Sequence, residues 1–247
     1  MIAWRAGVRT EEMERDPREL VPRPAARGAA SLFRRLSALR GKRVAHPHGR
    51  VFEATFDPYV GGTTGTELLD GGTRRALVRC SRALGLPEPL PDVLGFAIRF
   101  PDAYGPGRHH DFLCVTSIDA PVAHHVLVPA TGFFARPYSS LLAYRVADDV
   151  RLVGVLPAGS GPAVGPRLAQ ITEAVRRGTA SFELALAPLS GRFGRVGTIR
   201  LDAELTTPDA ERMRFNPWNC GGGIRPTGPL MGIRDAAYSG SQQGSAT

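Results

Sequence analysis

Short apolar runs broken by turn residues dominate the chain. Arg43 to Phe56 carries Val51, Phe52 and Phe56 among polar positions and predicts a strand. Thr73–Cys80, Gly95–Phe100 and Asp111–Ser117 predict three more, each bounded by Gly, Pro or Asp. Leu141 to Leu156 reads as a hairpin turning at Ala147-Asp148-Asp149, and Ala180–Leu186 and Arg195–Leu205 read as strands either side of Gly191. Helical spacing is confined to a few places. Leu32, Phe33, Leu36 and Leu39 share a face within Ala29–Leu39; Leu168, Ile171 and Val175 do so within Pro166–Arg177. Pro229–Tyr238 predicts a third helix after a Gly- and Pro-rich stretch.

This pattern predicts an α+β chain that is mainly β: one antiparallel β-barrel with peripheral helices. The expected organisation is an N-terminal arm over 1–27, a barrel domain over 28–242 and a flexible Gly/Ser/Gln tail over 243–247. The 29 glycines and 21 prolines fit many turns better than a helical bundle.

Composition narrows the function classes. With 43% hydrophobic and 22% charged residues, the chain of 247 is long enough to bury a proper core. The net charge of +8 raises nucleic acid as a partner, but Lys42 is the only lysine and the arginines are dispersed rather than massed, so no nucleic-acid partner is expected. Three cysteines at irregular spacing indicate neither a disulfide framework nor a zinc site. No apolar run reaches spanning length and no secretory leader is evident, which gives no membrane span and a cytoplasmic location as expectations.

One pair of residues carries chemistry. Arg234 and Tyr238 stand four apart and share a face of the expected third helix. A guanidinium beside a phenol favours the phenolate, and a phenolate is a known axial ligand to haem iron. By itself the pair also fits a surface packing contact.

Three further blocks precede it: Arg43-Val44-Ala45-His46-Pro47-His48-Gly49, Leu77-Val78-Arg79-Cys80-Ser81 and Gly95-Phe96-Ala97-Ile98-Arg99-Phe100. With Arg234…Tyr238-Ser239-Gly240-Ser241-Gln242 they resemble, in order, four segments of the haem catalase superfamily. The resemblance spans residues 40–242 and implies an eight-stranded barrel that holds haem b. It implies Tyr238 as the iron ligand, His46 as the distal acid–base group and Ser81 as the hydroxyl orienting that imidazole. Arg43, Arg79 and Arg234 match arginines around the haem, two at the propionates and one at the phenolate. His48 remains an alternative distal residue, two positions from His46 on the same side of a strand.

The chain also departs from the family. The Gly/Ala-rich stretch after Gly49 is shortened, the helical domain that follows the barrel is absent, and Ser245 stands where an arginine is common. No asparagine falls at the distal position; His109 or His110, within Arg108–Asp111, is the candidate replacement, a polar turn the alternative. The implied function is a haem peroxidase reducing hydrogen or organic peroxides with an organic reductant or substrate, and little true catalase activity. Two other readings stay open: a haem enzyme rearranging or dehydrating an oxidised substrate, and a non-catalytic haem- or ligand-binding barrel. A homodimer is compatible with the resemblance. Phe133-Phe134, His124-His125 and Arg214-Phe215-Asn216-Pro217-Trp218-Asn219 read as core, loop and barrel-capping segments, with a pocket wall as the alternative for the phenylalanines and the last segment.

Overall fold

The computed structural model describes residues 48–87, 90–158 and 167–228. Arg43, His46, Arg234 and Tyr238 lie outside these residues, as do the expected arm, tail and first and third helices.

Ten strands follow in chain order: β1 His48–Pro58, β2 Arg74–Arg82, β3 Leu94–Phe100, β4 His110–Thr116, β5 Tyr138–Ser139, β6 Tyr144–Val146, β7 Asp149–Pro157, β8 Ser181–Ala187, β9 Gly194–Leu205 and β10 Ile224–Pro226. The ladder runs β7-β5-β4-β3-β2-β1-β9-β8 and returns to β7. Every pairing is antiparallel. The eight strands therefore form a closed barrel, as the sequence pattern predicts, and closure leaves no unpaired edge around it. β6 and β10 extend the sheet from β7 outside the ring.

Strand alternation decides what fills the barrel. Phe52 and Phe56 of β1, Phe96 and Phe100 of β3, Phe112 of β4, Tyr138 of β5 and Phe182 of β8 are all fully buried. The rings of Phe96 and Phe182 meet at 4.7 Å and those of Phe56 and Phe100 at 5.5 Å. Each such side chain contributes about 1.5–3 kcal/mol by leaving water, so the interior is a packed core rather than a channel. Phe133 belongs to the same core, and Phe134 stacks on Phe182 with centroids 4.8 Å apart. Phe133 is thus a core residue, and Phe134 is half-buried against the core.

Helices complete the core. α1 (Glu67–Asp70) contributes Leu68 and Leu69; α2 (Leu168–Arg176), as expected from its spacing, contributes Ile171, Ala174 and Val175. Thr172 of α2 and Glu204 of β9 both bond Arg50, which ties α2 to the start of β1. α3 (Pro208–Arg212) is N-capped by Thr207, whose hydroxyl accepts from the Ala210 amide, and packs against β1. Among the described residues, no helix is long and apolar enough to cross a membrane.

Candidate functional site

The sequence argument singles out Arg79 and Ser81 on β2, so the outer face around them is the place to look. Ala76, Val78 and Cys80 fill the core, and alternation turns Arg79 and Ser81 outward. The register sets them in two rows. One row is Gly49, Ser81, Gly95 and Val115; the other is Val51, Arg79, Ala97 and Leu113. Four strands at about 4.8 Å spacing make a platform roughly 14 Å wide. Its centre is small: two glycines, a serine and an alanine. Ser81 is nevertheless only 5% exposed and Val51 only 3%, although both point away from the core.

Arg79 depends on one of those glycines. A Cβ at residue 49 would lie 2.6 Å from Arg79 Nε, so Gly49 is what lets the arginine lie across β1. Burial lowers the pKa of Arg79 below the ordinary guanidinium value. A partly desolvated cation of this kind attracts carboxylates more strongly than a solvated one does. His48 opens β1 opposite Arg82, next to the same end of the platform.

In the next row beyond Arg79, the same face carries a different constellation. Arg99 Nε and Nη2 donate to the two oxygens of Asp111 at 2.8 and 2.7 Å. Asp111 also accepts from the Asn216 amide and the Asn219 side-chain amide, both at 2.8 Å. Arg99 Nη2 donates to the Arg214 carbonyl, and the Phe215 ring lies 5.0 Å from the guanidinium carbon. The Arg214–Asn219 segment is therefore docked on the outer face of β3 and β4.

The register does not bring His109 and His110 to Arg79 and Ser81. The strand partner of Gly95 in the Ser81 row is Val115, and His109 lies six residues before Val115, about 20 Å along the strand. His109 is held in the β3–β4 turn, where its Nδ1 accepts from the Asp102 amide at 3.0 Å. His110 points the other way, towards the core. It is fully buried, its ring centroid is 4.4 Å from that of Phe112, and its Nδ1 is 2.8 Å from the Tyr104 hydroxyl. Its Nε2 is buried with no hydrogen-bond partner among the described residues. Burial drives the His110 pKa down to about 3, so the ring is neutral at physiological pH. Burial also raises the Tyr104 phenol, a nearby Cys220 adds to the rise, and Arg74 opposes it.

Sequence reasoning passed over two pairs, Arg99 with Asp111 and Tyr104 with His110. The legible signal was Asp111 itself, an acid opening an apolar run. His124 fits the loop reading: it is buried, its Nε2 bonds the Gly191 carbonyl and its ring meets Phe193 edge-on. Cys80 and Cys114 flank Phe96 in one inward row, two strand spacings apart, beyond disulfide reach. Among the described residues, no three His, Cys, Asp or Glu side chains gather to hold a metal ion.

Comparison with known families and curated proteins returns no match to this chain.

Proposed function

We propose that the chain is a haem-dependent peroxidase acting on hydrogen or organic peroxides, with the haem against the outer face of β1–β4. The observation that carries this reading is Arg79 lying across Gly49 beside Ser81 on a platform of small residues. A flat macrocycle packs against small side chains, and its propionates need a cation; Gly49, Ser81, Gly95 and Ala97 supply the first and Arg79 the second. The described residues fit that group. Tyr238 and His46, which the family resemblance implies as iron ligand and distal imidazole, would complete the site from outside them.

Haem, when bound, would supply the redox range for the two-electron reduction of a peroxide. The chain's own residues do the rest. Arg234 holds Tyr238 as phenolate. His46 moves a proton from the inner to the outer peroxide oxygen, which makes the departing oxygen leave as water or alcohol. Ser81 fixes that imidazole by a hydrogen bond, and Arg79 binds a propionate.

The platform also favours an organic substrate over rapid disproportionation. Leu113, Val115 and Val51 bring alkyl groups to its rows, and no amide side chain stands among them. A second hydrogen peroxide molecule would find few donors there, whereas an organic hydroperoxide would bury its carbon chain.

The test is the visible spectrum of the purified chain expressed with haem supplied. A Soret band that shifts in Tyr238→Phe, together with peroxide consumption that rises when an organic reductant is added, supports the proposal. A colourless protein sinks it in favour of a non-catalytic barrel. A coloured protein that isomerises or dehydrates a lipid hydroperoxide without any reductant points to the rearrangement reading.

A further inference from the structure

The end of the barrel away from Ser81 holds a phenol–imidazole pair that the haem reading does not use. Tyr104 lies in the β3–β4 turn and His110 opens β4. The Tyr104 hydroxyl is 2.8 Å from His110 Nδ1, and the two rings meet edge to face with centroids 5.8 Å apart. Among the described residues the hydroxyl has no other hydrogen-bond partner. A phenol is an acid and a neutral imidazole a base, so the hydroxyl donates and Nδ1 accepts. The imidazole proton then sits on Nε2, which is buried and unpartnered among the described residues. A folded core rarely keeps such a group unless it has a role.

The pair is held rigidly. The backbone of Gly221 and Gly222 lies against the Tyr104 ring: a Cβ at 221 would come within 2.9 Å of it, and one at 222 would run into it. Phe112 packs on the His110 ring at 4.4 Å and keeps water from the base. Tyr104 itself is half-buried, so solutes reach the phenol while His110 stays fully enclosed.

We propose that Tyr104 is a redox-active tyrosine, giving one electron to an oxidant while its hydroxyl proton passes to His110 Nδ1. The oxidant gains the electron, the O–H bond breaks and an N–H bond forms, leaving a phenoxyl radical beside an imidazolium. Burial raises the Tyr104 phenol, so prior ionisation is closed at neutral pH and the proton must leave with the electron. Burial also holds His110 down to about 3, so the proton returns once a small organic reductant, a phenol or an enediol, restores the electron. The other described tyrosines lack such a base. Tyr138 donates to the Phe133 carbonyl, which takes no proton. Tyr59 is exposed and donates to Glu183, whose carboxylate Arg195 also engages and so makes less basic. The pair works with any one-electron oxidant of sufficient potential and does not depend on haem.

Oxidation of the full chain, without haem, by photogenerated tris(bipyridine)ruthenium(III) tests the proposal. Electron paramagnetic resonance shows a tyrosyl radical in wild type and in Tyr59→Phe, and the signal is lost in Tyr104→Phe. Electron–nuclear double resonance of the wild-type radical shows an exchangeable proton coupled to the phenoxyl oxygen, and His110→Phe removes it. His110→Gln offers the hydroxyl an acceptor but no base; far-UV circular dichroism stays unchanged while the rate of radical formation falls by about a hundredfold, the lower end of what a positioned base contributes. Absence of a tyrosyl radical in wild type overturns the proposal. So does a radical that Tyr104→Phe leaves undiminished, or one that forms equally fast in His110→Gln.

Discussion

Arg99 and Asp111 stand opposite each other on the outside of β3 and β4, joined by two charge-assisted bonds and sealed by a segment more than a hundred residues away in sequence. Asp111 is fully buried and Arg99 is 12% exposed, so neither can return to water while the other stays. Breaking such a pair strands a buried charge, whereas replacing both partners by apolar groups is close to neutral. Asp111→Ala is therefore expected to destabilise the fold by about 3–5 kcal/mol in urea denaturation. Arg99→Met with Asp111→Leu is expected to lose less than either single change. The single change should also free Arg214–Asn219, read as faster proteolysis after Arg212 and Arg214. A single variant as stable as wild type would mean that the segment is held by other contacts.

The Tyr104–His110 pair makes a prediction about pH. Burial holds the His110 pKa at about 3 in the folded state, against roughly 6.5 for a free imidazole. Between these values the unfolded chain binds a proton that the folded chain does not. Stability contributed by neutral His110 is full above about pH 6.5 and is lost as pH falls towards 3, at up to about 1.4 kcal/mol per pH unit. Urea midpoints compared at pH 6.5 and 5 isolate this group from the carboxylates, which titrate lower. His110→Phe should flatten the difference. An imidazole resonance for His110 that titrates near pH 6.5 by NMR would remove the argument.

Barrel closure is sensitive to single methyl groups. A Cβ at Gly154 would run into the Phe193 ring, and one at Gly197 would lie 2.5 Å from the Phe56 ring and 2.6 Å from the Asp57 carbonyl oxygen. The first obstacle is a side chain alone and the second includes backbone, so the two should respond differently to repair. Gly154→Ala is expected to cost about 1–3 kcal/mol, with a large part recovered when Phe193 is reduced to Leu. Gly197→Ala meets the Asp57 carbonyl of β1 as well as the Phe56 ring, so Phe56→Leu should recover only a small part of its cost. Additive effects of Gly154→Ala and Phe193→Leu would show that the contact is not the cause.

β2, β3, β4, β8 and β9 were legible because each is a run of seven or more residues alternating around buried Val, Ile, Leu or Phe. β5, with two residues, and β10, with three and a proline, are too short to show a period; only tertiary pairing defines them. The site was legible in part. Arg79 and Ser81 fall on one outward face because they stand two apart, a fact the sequence carries directly. The expected place of His109 and His110 depended on the length of the β3–β4 turn, which alternation does not reveal. That turn holds Asp102 at φ 50° and six further residues before His109, and it sets Val115 rather than either histidine in line with Ser81. The Arg214–Asn219 segment was conspicuous by composition, but its partner Asp111 lies 105 residues from Asn216, a separation at which pattern says nothing.

Gly49 gives the platform its sharpest test. A methyl group there meets Arg79 at Nε, at Nη2 and at the guanidinium carbon, all within 3.2 Å. Gly49→Ala must push the guanidinium off β1, while the strand's own hydrogen bonds and the inward-facing core remain. Stability should change by about 1 kcal/mol or less, since the obstacle is the end of a flexible side chain. Haem affinity, measured by titrating the apo-protein and following the Soret band, should fall by about tenfold, the value of one guanidinium–carboxylate contact. Arg79→Gln should produce a loss of the same size, and the double variant little more, because both changes remove one interaction. Undiminished haem uptake by Gly49→Ala and Arg79→Gln alike would take the cofactor off this face of the barrel.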